Sequence, residues 1–142
     1  MPALRYSWRF GFLFISTLGT LGCSGGGDRY DTVPVSGVVA CNGKPVANGV
    51  INFTPMAEQG RSEGNRGRVA LGRTDSNGRF KLTTYENEDG AIVGRHTVTI
   101  SMGFSEEAGS VVDKAFPCRG STEEVTVKAG MGELKLDFGA KK

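Results

Sequence analysis

Apolar and polar residues alternate in several short runs beyond residue 32, and this repeat of two limits the folds that the chain can adopt. In the last such run, Leu134, Leu136 and Phe138 alternate with Lys135 and Asp137. Successive side chains of a β-strand point to opposite faces of a sheet, so the alternation predicts strands with one buried and one exposed face. No segment after residue 22 carries the repeat of about 3.6 residues that an amphipathic helix shows. Runs of this kind, bounded by turn residues, predict seven strands, at residues 33–40, 50–54, 68–74, 79–83, 94–101, 124–128 and 134–138.

The turns between these runs are rich in glycine, which makes up 22 of the 142 residues, about twice the ordinary share of roughly 7%. Asn42-Gly43 is the dipeptide most typical of a two-residue hairpin. In the turn at residues 75–78, we expect Asp75 to accept backbone N–H groups, and Gly78, after Asn77, to supply the positive φ that returns the chain to a strand. Short strands joined by such turns predict an all-β fold, a seven-stranded antiparallel β-sandwich.

The first 22 residues have a different pattern. Arg5 and Arg9 are the only charged residues there, and an uncharged, largely apolar stretch follows at residues 10–21. Its 12 residues are too few to cross a bilayer, which takes about 20, but they are typical of the apolar region of a secretory signal peptide. The pattern predicts export from the cytosol.

The sequence around Cys23 resembles the bacterial lipobox, in which a small residue precedes a cysteine that is lipidated after cleavage. Gly22 is that small residue, although Thr20 stands where the pattern usually has leucine. The resemblance implies cleavage before Cys23, acylation of Cys23 and, because Ser24 follows, sorting to the outer membrane, facing the periplasm or the cell surface. Cleavage by an ordinary signal peptidase, which tolerates Thr20 and Gly22, is the alternative. The glycines after Ser24 are typical of a flexible tether, so we expect residues 23–32 to link the lipid to a folded domain.

The charge balance excludes one class of partner. The whole chain carries a formal charge of +2, and removing residues 1–22 takes away two of its 17 Lys and Arg residues and none of its 15 acidic residues. The processed chain is therefore formally neutral, which argues against a nucleic-acid partner. Cys41 and Cys118 are the two cysteines of the expected folded part. In an oxidising compartment they are candidates for one disulfide, and two separate thiols are the alternative.

Five segments together resemble the carboxypeptidase regulatory-like domains, which share the transthyretin-like, or prealbumin-like, β-sandwich. The most specific is the string TDSNGRF at residues 74–80, and the likeness extends over residues 33–138. The chain is similar in this respect to the small lipoproteins of planctomycete-type bacteria that carry such domains. The resemblance implies a scaffold without an active site, because its motifs consist of turn and core residues. The segments are residues 35–39, 42–46, 50–55, 74–80 and 90–100.

Residues that could carry chemistry are few. His96 is the only histidine, and the alternation sets it on the same face as Val98, so we expect it to pack in the core; a catalytic base would need a nucleophile and an orienting acid beside it. The acidic residues at 86–89 and 106–113 are interpreted as solvated loop charges. No metal site and no cofactor are predicted.

These observations predict a non-enzymatic, lipid-anchored protein of the cell envelope that serves as a structural or protein-interaction module. It would contact the membrane through its lipid, and its protein surface would bind an envelope protein or a glycan. The alternative is a carbohydrate-binding module at the cell surface, with Tyr85, Phe104 or Phe116 as ligand-facing aromatic residues of loops. The predicted organisation is a signal peptide at 1–22, a tether at 23–32, the sandwich at 33–138 and a tail at 139–142.

Overall fold

The computed structural model describes residues 29–58, 64–102 and 116–139. Within those ranges the protein is all-β, and ten strands form a sandwich-like arrangement of mainly antiparallel sheets, which confirms the predicted fold class. The strands are β1 (Thr32–Val33), β2 (Ser36–Cys41), β3 (Lys44–Pro45), β4 (Gly49–Pro55), β5 (Ala70–Arg73), β6 (Arg79–Lys81), β7 (Ala91–Ile92), β8 (Gly94–Met102), β9 (Thr122–Val127) and β10 (Leu134–Phe138).

Seven of these strands are three residues or longer, and each overlaps one of the seven segments predicted from the sequence. β1, β3 and β7 have two residues each, which is too short for the alternation to reveal them. The predicted signal peptide and most of the predicted tether, residues 1–28, lie outside the described residues, as do residues 140–142.

Two four-stranded sheets form the layers of the sandwich. One has the order β5-β4-β8-β9 and is antiparallel throughout; its longest pairing sets Gly49 opposite Met102 and Pro55 opposite His96. In the other sheet β2 is central, with β10 on one side and both β3 and β6 on the other. β1 and β7 form a small antiparallel pair.

One strand pair departs from the predicted antiparallel arrangement. β10 runs parallel to β2, with Leu134 opposite Gly37 and Phe138 opposite Cys41. Alternation determines which face of a strand is buried, but it says nothing about strand direction. The chain crosses from one sheet to the other between β9 and β10, and this crossing decides the direction of β10. The close approach depends on Gly37, because a Cβ there would lie 2.5 Å from the Leu134 carbonyl oxygen and 2.9 Å from the Phe80 ring.

The core lies between the two sheets and is built from the inward residues of the long strands. Alternate residues of β4, from Gly49 to Pro55, are buried, and Ile51 and Phe53 have no exposed surface. Phe53 packs against Phe80 of the opposite sheet, with ring centroids 6.2 Å apart. Full burial of one large apolar side chain contributes about 1.5–3 kcal/mol, so these inward rows hold the two layers together.

Candidate functional site

The disulfide joins the end of β2 to the turn that precedes β9. Cys41 and Cys118 are bonded, with Cα atoms 5.9 Å apart, and both are buried. The structure thus selects the bridge over the alternative of two separate thiols. The bond therefore ties β2 of one sheet to the turn that leads into β9 of the other sheet. The side-chain amide of Asn42 contacts both sulfurs, at 3.8 and 3.9 Å.

The turn between β5 and β6 has the geometry expected from its sequence. One carboxylate oxygen of Asp75 accepts the N–H groups of Asn77 (2.8 Å) and Arg79 (2.9 Å). The Gly78 N–H donates to the Asp75 carbonyl oxygen at 3.1 Å, and Gly78 has a φ of 76°. Asp75, Asn77 and Gly78 thus close a tight turn that carries the chain from one sheet to the other, and this role is structural.

Tyr85 lies where the N-terminal segment joins the folded body. The guanidinium carbon of Arg29 lies 4.9 Å from the centroid of the Tyr85 ring, and that of Arg68 lies 5.7 Å from it. The Tyr85 hydroxyl accepts a hydrogen bond from the Tyr30 N–H at 3.2 Å. Arg29 also forms an ion pair with Glu86 at 2.8 Å. We call Arg29, Tyr30, Arg68, Tyr85 and Glu86 the N-terminal corner. The ring that the sequence suggested as a ligand platform is therefore engaged by two guanidinium groups and by the incoming chain.

The other two aromatic residues do not join Tyr85 in one platform within the described structure. Phe116 is partly buried and packs against the hydrophobic core, just before the turn that contains Cys118. Phe104 lies outside the described residues, as does the predicted lipidation residue Cys23. Of the three predicted ligand-facing aromatic residues, the structure thus describes two, and both have intramolecular packing partners.

Asp89 organises the loop that carries Tyr85. Its carboxylate accepts the N–H groups of Thr84 (2.6 Å), Tyr85 (3.0 Å) and Glu86 (3.1 Å). Burial raises the pKa of the Asp89 carboxyl, but the three backbone donors and the positive charge of Arg29 outweigh burial, so the pKa lies below its ordinary value.

The sequence interpretation grouped Asp89 with Glu86 and Glu88 as solvated charges, and for the two glutamates that interpretation agrees with their exposed ion pairs to Arg29 and Lys81. For Asp89 it is incomplete. The signal that could have separated it is the threonine five residues before it, since an aspartate closing a short loop can accept the amides at the loop's start.

His96 lies inside the sandwich, on β8. It is completely buried, its ring centroid is 5.9 Å from that of Phe53, and its Nδ1 is 3.0 Å from the Gly94 carbonyl oxygen. This agrees with the expectation of a packed core histidine. The described ranges bring together no group of three or more His, Cys, Asp or Glu side chains that could hold a metal ion.

An open groove of about 640 Å³ runs beside β6, near the β5–β6 turn. Its charged side chains include Arg73, Arg79, Lys81, Glu88 and Glu133. Arg79 is paired with Glu133 at 2.9 Å and Lys81 with Glu88 at 2.8 Å, and all four side chains are largely exposed. Exposed pairs of this kind contribute little, about 0–1 kcal/mol each, so they can be exchanged for contacts with a partner.

In comparisons with known proteins, no protein-family model, curated protein or solved structure matches this chain. The described residues contain no helix that is long and apolar enough to span a bilayer.

Proposed function

We propose that the chain is a non-enzymatic, lipid-anchored protein of the bacterial cell envelope, with its sandwich, of the carboxypeptidase regulatory-like type, serving as a structural or protein-interaction module. The observation that carries the proposal is the Cys41–Cys118 disulfide. Disulfides persist in oxidising compartments and are rare in the cytosol. The disulfide supports export independently of the signal-peptide pattern at residues 1–22 and of the lipobox resemblance at Cys23.

The lipid would hold the sandwich close to a membrane surface. Only five residues lie between Cys23 and Arg29, the first residue of the N-terminal corner, so an extended chain from one to the other spans at most ~20 Å. Each buried acyl CH₂ contributes about 0.8 kcal/mol, and stable attachment takes more than one chain. The three chains typical of a lipobox cysteine would therefore anchor the domain, while the corner attaches the tether to the folded body.

The way in which the reactive residue types are used supports a binding or structural role. The two cysteines are bonded to each other, His96 packs in the core, and the carboxylates of Asp75 and Asp89 hold turns. In an active site, such groups face a cavity beside one another. Here each of them stabilises the scaffold.

The groove beside β6 is the surface that we assign to a protein partner. In its ion pairs, such as that of Arg79 with Glu133, both the cationic and the acidic side chain are exposed to solvent. Mixed exposed charges steer and orient a partner more than they add affinity. In-cell cross-linking from Lys81, with Lys128 of the turn after β9 as the matched control position, tests this assignment. Capture of the same envelope protein from both positions would argue against a contact specific to the groove.

The decisive experiment is the mass of the N-terminal peptide of the full chain, expressed in a bacterium that processes lipoproteins. The expected result is a chain that begins at an acylated Cys23 and fractionates with membranes. Cys23→Ala is the matched control and should release the protein from the membrane fraction while leaving the Cys41–Cys118 bond in place. A protein recovered from the cytosol with Met1 intact contradicts the proposal. A cut chain with an unmodified cysteine keeps export and removes the anchor.

The carbohydrate-binding alternative has less support, because Tyr85 is covered by Arg29 and Arg68 and Phe116 packs against the core. A glycan array probed with the wild type and with Tyr85→Ala separates the two functions. Binding that disappears in the variant would favour the alternative.

A further inference from the structure

The chain contains three Asn-Gly dipeptides, Asn42-Gly43, Asn48-Gly49 and Asn77-Gly78. Asn-Gly is the dipeptide in which asparagine deamidates most readily, because glycine has no side chain to hinder attack by its own backbone nitrogen on the preceding amide. All three asparagines are exposed. The overall exposure of the asparagine therefore does not distinguish the three dipeptides, but the environment of the glycine does.

Gly43 is exposed, and a Cβ placed on it would meet no atom within 4 Å. Asn42 and Gly43 are the two central residues of the β2–β3 hairpin, with φ values of 52° and 78°. The Gly43 N–H donates to the carboxylate of Asp137, at 3.0 and 3.1 Å, and this bond is open to solvent. Water can replace it when the turn opens, so rotation of the Asn42–Gly43 peptide costs little.

Gly49 is held in a different way. It is buried at the start of β4, and its N–H donates to the Thr74 hydroxyl at 2.7 Å in a buried hydrogen bond. A Cβ placed on it would lie 3.0 to 3.2 Å from atoms of Val46, Ile100 and Ser101. Rotating this peptide would break a buried bond and displace core atoms.

Gly78 is also buried, in the β5–β6 turn. Its N–H donates to the Asp75 carbonyl oxygen at 3.1 Å. A Cβ placed on it would overlap the Val39 carbonyl oxygen. The Asn77–Gly78 peptide is therefore fixed by a turn that is itself packed against β2.

We infer that Asn42 is a site of spontaneous deamidation in the folded protein and that the fold protects Asn48 and Asn77. The Gly43 backbone nitrogen attacks Cγ of Asn42, so that an N–Cγ bond forms and the Cγ–Nδ2 bond breaks. The nitrogen loses its proton to solvent, the side-chain nitrogen leaves as ammonia, and a succinimide ring remains. One water molecule then opens the ring at either carbonyl to give aspartate or isoaspartate.

The product alters a junction of the sandwich. The new carboxylate, at position 42, lies next to the Gly43 N–H, which donates a hydrogen bond to the Asp137 carboxylate. Two negative charges therefore come close together at the ends of β2 and β10. The amide of Asn42 that contacted both sulfurs of the disulfide is lost. Isoaspartate also lengthens the backbone within the two-residue turn that pairs Cys41 with Lys44.

The test uses the full oxidised chain, incubated folded in mildly alkaline buffer and sampled over time. Peptide mass mapping then quantifies deamidation and isoaspartate at the three asparagines separately. The buried hydrogen bond of Gly49 and the close packing of Gly78 against β2 both lower the population of an open turn. We therefore expect Asn42 to convert about tenfold faster than Asn48 and Asn77. A parallel sample, reduced and unfolded in denaturant, is the matched control, and in it the three sites should convert at comparable rates.

Three outcomes would overturn the inference. The first is conversion of Asn48 or Asn77 at the rate of Asn42 in the folded protein. The second is the same ranking in the folded and unfolded samples, since it would assign the difference to neighbouring residues in sequence and not to the fold. An Asn42 that stays unconverted when folded but reacts when unfolded also counts against it.

Discussion

Replacing both bridged cysteines by alanine should remove a large part of the stability of the sandwich. The bond closes a loop with a sequence separation of 77 residues. In the chain-entropy account, restricting the unfolded state over a loop of this length stabilises the native state by about 4.5 kcal/mol. Domains of this size have a total free energy of unfolding of about 5–15 kcal/mol. The double variant Cys41→Ala, Cys118→Ala should therefore lie at the margin of folding.

Burial of the two cysteines adds to the expected loss of stability. Cys41 and Cys118 are both buried, with 6% and 1% of their surface exposed, so alanine at both positions also removes packing against Phe138 and its neighbours. Replacing one cysteine alone would leave a reactive thiol, and the double variant avoids that. Without the cross-link, the unfolded variant is more expanded than the unfolded wild type. The unfolding free energy of the variant should therefore fall more steeply with denaturant concentration.

The assay is equilibrium unfolding in urea, followed by tyrosine fluorescence and circular dichroism, with Cys23→Ala as the matched control. The control should unfold like the wild type, because Cys23 is not one of the bonded pair. A loss smaller than about 1 kcal/mol in the double variant would refute the reasoning from loop length. Alkylation of Cys41 and Cys118 in the native protein without a reductant would refute the bond itself.

Three further predictions concern the Asp89 loop, the β2–β10 contact and the N-terminal corner. Asp89→Asn should lower the free energy of unfolding by about 1–3 kcal/mol near neutral pH, because a carboxylate that accepts three backbone N–H groups is lost. Since the folded-state pKa lies below the unfolded one, the difference between wild type and variant should be complete above the ordinary aspartate pKa. It should shrink as the pH falls through the lowered value, and a difference that grows in acid would contradict the assignment. Gly37→Ala should cost about 1–3 kcal/mol through its clash with β10, whereas Gly132→Ala, with open space around its Cβ position, should be near neutral in the same urea titration. Tyr85→Phe should speed hydrogen exchange of the Tyr30 amide, whose acceptor is the Tyr85 hydroxyl, and unchanged exchange would show that this bond does not hold the chain at the corner.

The prediction of the β5–β6 turn from sequence succeeded because its chemistry is local. Asp75 reaches amides two and four residues ahead, and Gly78 supplies the positive φ within the same turn. The inner faces of the strands were predictable for a similar reason, since burial of Phe80 or Val98 follows from the alternation alone. The role of Asp89 was harder to see, because the local signal, the threonine five residues before it, does not show whether the carboxylate accepts backbone N–H groups or faces solvent.

The candidate site shows the same division. The lipobox-like string at Cys23 and the pair Cys41 and Cys118 are visible without any structure. The use of Tyr85 by Arg29 and Arg68 is not, because the partners lie 56 and 17 residues away in the chain. Only packing brings Arg29 and Arg68, which lies two residues before β5, to the same ring.

The amino-acid sequence by itself determined the seven longer strands, their buried faces and the tight turns, and it carries the pattern that predicts export, because each of these depends on residues within a few positions of one another. The tertiary structure decided the parallel direction of β10, the bond between Cys41 and Cys118 and the contrast between Gly43 and the two buried glycines. These depend on which segments meet in space. Closing a long loop costs conformational entropy that only the combined burial of both sheets offsets, so such contacts are a property of the whole sandwich and not of any segment in it.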